Sequence, residues 1–417
     1  MSNYLRKGTN LVYIMTMKSV SLIVIVFFSY CMYAQNVTEA KIQFWRGELN
    51  MNDRLQIPFL FTLEKKGKKY KMSILNGEEK INLSCSQKKD SITALFPGID
   101  AYLKFKIEGH ELRGYWLNLN KKKLQKIPLH ASFNQKSRFE WSTIEVPVIV
   151  RSKYSLVFDD DTEKNICVGL FKGDQGIIQG TIMTETGDYR FLDGNINGNS
   201  FKMSTFNGTW AMLLEGQIIG DSVVGNFYSG SSYRTGWRGK ADDNAMLRKA
   251  SSLTYVVNDL TFNFSSIKML NGKPYRPIQN STLKLYQVMG SWCPNCLDEM
   301  VFFKELHESF SKDGLEIIAL AYENHQDISS ALSKLKKFAK RMGIPYTICY
   351  AGSASKEAAS ATFPMLNQIM SFPTSIMVDK NGKIRHIHTG FSGPATGKVY
   401  EEYKVEMRGI IKTLLAE

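Results

Sequence analysis

From Ala40 to about Lys240, apolar and polar positions alternate in short runs, with almost no helical spacing. In Tyr102-Leu103-Lys104-Phe105-Lys106-Ile107 the apolar Leu103, Phe105 and Ile107 fall on alternate positions, as on a strand with one buried face. The runs stop at turn pairs such as Asn76-Gly77, Glu108-Gly109, Asn197-Gly198 and Asn207-Gly208. This spacing predicts an all-β unit of antiparallel hairpins, a barrel or a sandwich, over 35–243. The unit contains a repeat. Phe96-Pro97-Gly98-Ile99-Asp100-Ala101-Tyr102-Leu103 matches Phe206-Asn207-Gly208-Thr209-Trp210-Ala211-Met212-Leu213, and Glu111–Trp116 matches Ser222–Phe227 after a one-residue slip. A period of about 110 residues is too long for a solenoid and indicates a duplicated β-unit.

The pattern changes after a polar linker at 244–252. Over 253–417 strands alternate with helices. Leu283–Met289 and Leu315–Ala321 read as strands, and Asn295–Lys312 reads as a helix stopped by Gly314. Leu332–Met342 reads as a helix with lysines on one face, ending at Gly343. Thr374–Val378 and Lys383–His388 form a hairpin around Lys380-Asn381-Gly382, and a last helix spans Val399–Leu415. The chain is therefore expected to be multidomain, all-β first and α/β second.

Composition changes the picture at the N-terminus. Arg6, Lys7 and Lys18 precede an apolar run over Val20–Phe28, followed by Ala34. Residues 1–34 read as a secretory signal peptide cut near Ala34, which places the rest outside the cytoplasm or in the envelope. Tyr30 is too bulky to precede a lipidated cysteine, which argues against an anchor at Cys31. The formal charge of +14 sits partly in bursts, Lys65–Lys69 and Lys121–Lys123, that read as solvated hairpin tips. No zinc-finger or RNA-binding signature accompanies them, so no nucleic acid partner is expected. Six cysteines are too few for a disulfide scaffold. Cys85, Cys167 and Cys349 read as buried apolar residues, with a Cys85–Cys167 bridge left open. The aromatics Trp116, Trp210, Tyr228, Tyr233 and Trp237 either fill a barrel or line a binding surface, and filling is favoured.

The remaining pair, Cys293 and Cys296, is spaced Cys-x-x-Cys where a buried strand meets a helix start. Backbone N–H groups and the helix dipole favour an anion there, and the thiolate is the attacking species in disulfide exchange. Pro294 suits the first helical turn, and Cys296 lies one turn on, placed to resolve a mixed disulfide. Zinc uses the same spacing but needs two further ligands, and no second Cys pair or paired His motif of zinc-site spacing follows, so no metal is expected. His307, on the same helix, reads as a surface residue.

Gly290-Ser291-Trp292-Cys293-Pro294-Asn295-Cys296 resembles the active site of the thioredoxin superfamily. Together with Glu299, Phe372-Pro373-Thr374 and Asp379-Lys380-Asn381-Gly382-Lys383, about 160 residues resemble its exported TlpA/ResA-like branch. The resemblance implies a thioredoxin fold, no cofactor, Cys293 as nucleophile and Cys296 as resolving thiol. It implies Glu299 as a partly buried acid managing the thiol protons. Pro373 would be the cis proline that offers backbone to substrate, with Trp292, Phe372 and Thr374 beside it. Protein disulfides would be the substrates, and a membrane electron donor would re-reduce the pair. The chain departs from cytosolic thioredoxins at Gln287, where they carry a buried aspartate, and at Met289, where they carry an aromatic. Ala351–Phe372, containing Met365 and Met370, reads as an insertion near the active site that governs partner choice. The alternative is an envelope binding protein whose β-domain recognises a glycan or peptide.

Overall fold

The computed structural model describes residues 42–417 apart from 68, 121–123, 125, 161–165, 278–280 and 325–326. The signal peptide expected over 1–34, with Cys31, and the Lys121–Lys123 burst lie outside the described residues. No helix among the described residues is long and apolar enough to cross a membrane.

Alternating side chains close the first half into two barrels. In the first, eight strands between Gln43 and Phe133 each pair antiparallel with the next. Gln43–Asn52 closes the ring against Lys126–Phe133, with Trp45 opposite Phe133 and Leu49 opposite Leu129. Closure removes the unpaired strand edges that an open sheet would expose. The second ring repeats this plan between Lys153 and Ala241, closed by Lys153–Phe158 against Tyr233–Ala241. The two halves of the sequence repeat occupy equivalent places. Phe96–Leu103 and Phe206–Leu213 carry the connection from the fifth to the sixth strand of each ring. These connections meet where the barrels touch: the Phe96 and Phe206 rings lie 5.3 Å apart, and Trp116 Nε1 donates to the Gly208 carbonyl at 3.2 Å. A Cβ on Gly208, whose φ is +89°, would come within 2.6 Å of the Phe96 ring. Arg138, buried in the connecting segment, donates to Leu75 O at 2.6 Å in one barrel and Ser204 O at 3.1 Å in the other. Trp116 and Trp237 are buried and fill space, whereas Tyr233 is exposed. Cys85 and Cys167 lie in different barrels and are not bridged, so the open Cys85–Cys167 pairing is not made.

The second barrel carries one addition outside its ring. Strand Ile177–Thr184 pairs with Leu192–Asn197 only as far as Gly180. Its end pairs instead with a two-residue strand, Gly187–Asp188, through Met183–Asp188 and Thr184–Gly187. The resulting hairpin projects from the rim toward the C-terminal domain.

That domain is a six-stranded mixed sheet flanked by helices. All seven residues of Leu283–Met289 are buried, as its apolar run demands. It lies parallel to Leu315–Glu323 and antiparallel to Thr374–Asp379. Helices α1 (Pro294–Phe310), α2 (Ile328–Met342), α3 (Lys356–Thr362) and α4 (Lys398–Leu415) complete it. Gly343, at φ 58°, stops α2, and a one-turn extension at 311–313 carries α1 to Gly314. The lysine face expected on α2 is interrupted: Lys334 is buried, its Nζ 3.4 Å from Glu323 Oε2 and bonded to Asn120 Oδ1 of the first barrel. His307 is half-buried beside the Tyr346 ring at 6.0 Å rather than on the surface. The insertion also resolves differently from its reading. Ala351–Ser353 completes a sheet strand, and Met365 is core, which leaves Met370 as the methionine facing the redox pair's surroundings.

Candidate active site at the barrel interface

Cys293 is the N-cap of α1, and its Sγ accepts the Cys296 backbone N–H at 3.2 Å. The two sulfurs are joined in a disulfide with Cα atoms 5.3 Å apart. The unpaired amides of a first helical turn are the groups that would stabilise a thiolate at this position after reduction. Cys293 is only 4% exposed and Cys296 is buried. Cys293 Sγ lies 3.5 Å from the Phe372 carbonyl oxygen, and the Phe372–Pro373 bond is cis. Trp292 packs edge-on to Phe372 with centroids 5.4 Å apart, and its Nε1 donates to Tyr322 O at 2.9 Å. Thr374 turns back to brace the loop, its hydroxyl donating to Ser371 O at 2.9 Å. Trp292, Cys293 and Phe372 thus converge on one surface, whereas Pro373 is buried and the Thr374 side chain serves the loop.

Glu299 sits behind the cysteines with no exposed surface. Gln287 Nε2 donates to its Oε2 at 2.8 Å and reaches the Cys296 carbonyl at 3.4 Å. Tyr403 of α4 donates to its Oε1 at 3.2 Å. Burial pushes the Glu299 carboxyl up to about 8, against these two hydrogen bonds, so the acid is mostly protonated at neutral pH. Gln287 therefore fills the place of the thioredoxin aspartate as a hydrogen-bond bridge. Tyr403 was not marked by the sequence, because its partner lies 104 residues away.

A raised carboxyl pKa has a definite sign in stability. Relative to its ordinary value of 4.5, the folded state holds the Glu299 proton more tightly. Its contribution is complete below about pH 4.5 and is lost as pH rises through about 8. Glu299→Gln, which is neutral throughout, is expected to melt progressively higher than the parent protein as pH rises from about 5 to about 9. The difference should reach the order of a few kcal/mol. Thermal melts of the two oxidised proteins across that range decide it, and parallel curves would contradict a buried, proton-holding Glu299.

The second barrel's hairpin lies over this surface. Asn295 Nδ2 donates to Asp188 O at 3.1 Å, Gly393 N–H to Asp188 Oδ2 at 3.0 Å, and Ser371 Oγ to Thr186 O at 2.8 Å. A Cβ on Gly187, at φ +142°, would meet Asn295 Nδ2 at 2.2 Å, so glycine permits the approach. Arg190, itself at φ 59°, donates to Pro294 O at 3.1 Å and pairs with Asp298 of α1 and Glu79 of the first barrel. One guanidinium thereby joins all three folded units. Glu79, Asp188 and Asp298 share this single cation; burial drives Asp188 up to about 7, and burial drives Asp298 up to about 6 despite Arg190. No sequence signal pointed to Asp188 or Arg190, because nothing local to 184–191 announces a partner about a hundred residues on.

A parallel βαβ core with its cysteine pair at a helix N-terminus, facing a cis proline, defines a thioredoxin-fold redox domain. Comparison with known proteins agrees. Residues 271–403 match the Redoxin family model. Thiol-disulfide oxidoreductase ResA of Geobacillus thermodenitrificans is 31% identical over 101 residues, 24% of this chain and 51% of that protein. The ResA of Bacillus anthracis is 26% identical over 144 residues, 34% of this chain and 70% of that protein. The chain spans about half the length of the first curated relatives it matches. A thiol:disulfide interchange protein of the thioredoxin family from Chlorobium tepidum TLS aligns at TM-score 0.29 with 21% identity, covering 38% of this chain and 99% of that one. The C-terminal domain thus matches the Redoxin family model and is similar in sequence to ResA thiol-disulfide oxidoreductases.

Proposed function

We propose that the protein is an exported thiol–disulfide oxidoreductase that reduces protein disulfides. The observation that carries this reading is the N-capping position of Cys293, with Cys296 N–H on its sulfur and the Phe372 carbonyl 3.5 Å away. The domain's ResA-like sequence supports it. In the reduced protein, the Cys293 thiolate attacks one sulfur of the substrate and the other sulfur leaves, taking up a proton. Cys296 then loses its proton and attacks Cys293, forming the Cys293–Cys296 bond and releasing the second substrate thiol. Two electrons and the Cys296 proton pass from the pair to the substrate, and the second proton comes from solvent, where the Cys293 thiol released its own. Glu299 would manage the Cys296 proton, supported by Gln287, which donates to both Glu299 and the Cys296 carbonyl. Trp292, Phe372, Pro373 and Thr374 form and brace the surface the substrate meets. The basic and apolar pattern of residues 1–34 supports export, and a membrane dithiol donor would restore the reduced pair.

The test uses the reduced full-length protein and a short, unstructured peptide disulfide. Free peptide thiols should appear while the protein acquires its Cys293–Cys296 bond, read by alkylation and mass spectrometry. A reduced protein that leaves the peptide disulfide intact would overturn the reading.

A further inference from the structure

The hairpin and the loop Asn207–Trp210 do more than cover Cys293: they leave a cavity of about 320 Å³ with that cysteine in its wall. The volume is at the low end for ligand pockets, roughly ten waters at about 30 Å³ each. The barrel supplies Tyr189, Trp210 and Met212, and the redox domain supplies Trp292, Met370 and Phe372. Half of the lining residues therefore come from outside the thioredoxin fold, where Tyr189, Trp210 and Met212 add aromatic and thioether surface beside Thr184, Thr186, Gly187 and Asp188. Those barrel side chains are held in place. Asn207 Oδ1 accepts the N–H groups of Thr209 and Trp210 at 3.0 and 2.8 Å, and the Tyr189 ring stacks on Phe227 at 5.1 Å. A broad folded surface cannot enter so small a space to reach a cysteine that is 4% exposed. A narrow chain segment can.

Resting on the oxidoreductase reading, we infer that Tyr189, Trp210 and Met212 form a specificity subsite that selects extended peptide disulfides with an aromatic or large apolar residue beside the half-cystine. That neighbouring side chain leaves water for the aromatic wall as the disulfide sulfur reaches Cys293, so its burial tightens binding of the peptide. The chemistry remains the exchange written above, with the reduced Cys293–Cys296 pair as the electron source.

The experiment uses the reduced full-length protein, recycled by dithiothreitol, and two short peptide disulfides that differ only in Phe or Ser next to the cysteine. The Phe peptide should be reduced with a kcat/KM about tenfold higher, carried mainly by KM. Trp210→Ala should bring the ratio to within about twofold, and Met212→Ala provides a second, smaller truncation of the same wall. Ile219→Ala, at an exposed position of the same barrel, should retain the preference. Equal rates on the two peptides with the parent protein would overturn the subsite, as would a tenfold preference that survives both Trp210→Ala and Met212→Ala. Failure to reduce either peptide would instead overturn the oxidoreductase reading on which the subsite rests.

Discussion

Cys293→Ser is expected to abolish disulfide reduction, whereas Cys296→Ser should accumulate a covalent complex with its substrate. The asymmetry follows from position. Cys293 caps α1 and lines the cavity, while Cys296 is fully buried behind it. Only the first sulfur can meet a substrate, and only the second can meet the first from within. Removing the nucleophile should lower the rate by more than about a thousandfold, the scale on which losing a covalent nucleophile acts. Removing the resolving thiol leaves the first exchange intact and blocks release, so a mixed disulfide should appear as a band sensitive to reductant. Limited alkylation of the reduced parent protein should label Cys293 before Cys296. Preferential labelling of Cys296, or a trapped complex in the Cys293→Ser protein, would reverse the assignment.

The next largest effect is expected at Arg190, far from the sequence of the redox motif. Its guanidinium is mostly buried between Asp298, Glu79 and the Pro294 carbonyl. Arg190→Ala leaves those carboxyl groups enclosed without their cation. Breaking such a pair from one side costs about 3–5 kcal/mol, because the abandoned charges stay out of water. Denaturant unfolding should read this loss directly. A second readout separates a local defect from an open roof: Arg190 also holds the hairpin over Cys293, so iodoacetamide should label reduced Cys293 faster in the variant. Unchanged stability together with unchanged labelling would show that the clamp holds nothing.

The redox centre was legible because its causes are local. A buried strand, a turn, Cys-Pro-Asn-Cys and a helix occupy consecutive residues, and the hairpin around Asn381-Gly382 carries its own turn signal. The all-β character of the first half was equally legible from alternation. Whether a sandwich or a barrel results depends on whether Trp45 meets Phe133 and Trp237 meets Phe158, pairings that no window of sequence contains. The same distance hid Lys334. On a lysine-rich helix it looks like one more solvated charge, yet Asn120 and Glu323 converge on it from two domains. Glu299 stood out through its resemblance to a family acid, while Gln287 stood out only as a departure. The structure gives both a common account, as acceptor and donor of one buried hydrogen bond. The aromatics divided by position: Trp116 and Trp237 fill barrels, but Trp210, on a pinned loop, faces the cysteine.

The hairpin ending in Gly187–Asp188 lies outside the closed ring, since Leu192–Asn197 has already left its ladder at Gly180. Residues inserted or deleted at Glu185-Thr186 would therefore not unzip the barrel, whose closure depends on strands elsewhere. On the proposed reading, the cysteine pair and its helix move the electrons, and the hairpin joins Trp210 and Met212 in bounding what reaches them. These two properties reside in separate stretches of chain, about a hundred residues apart. Changes at that tip would reshape the roof over Cys293 without touching the residues that carry the electrons.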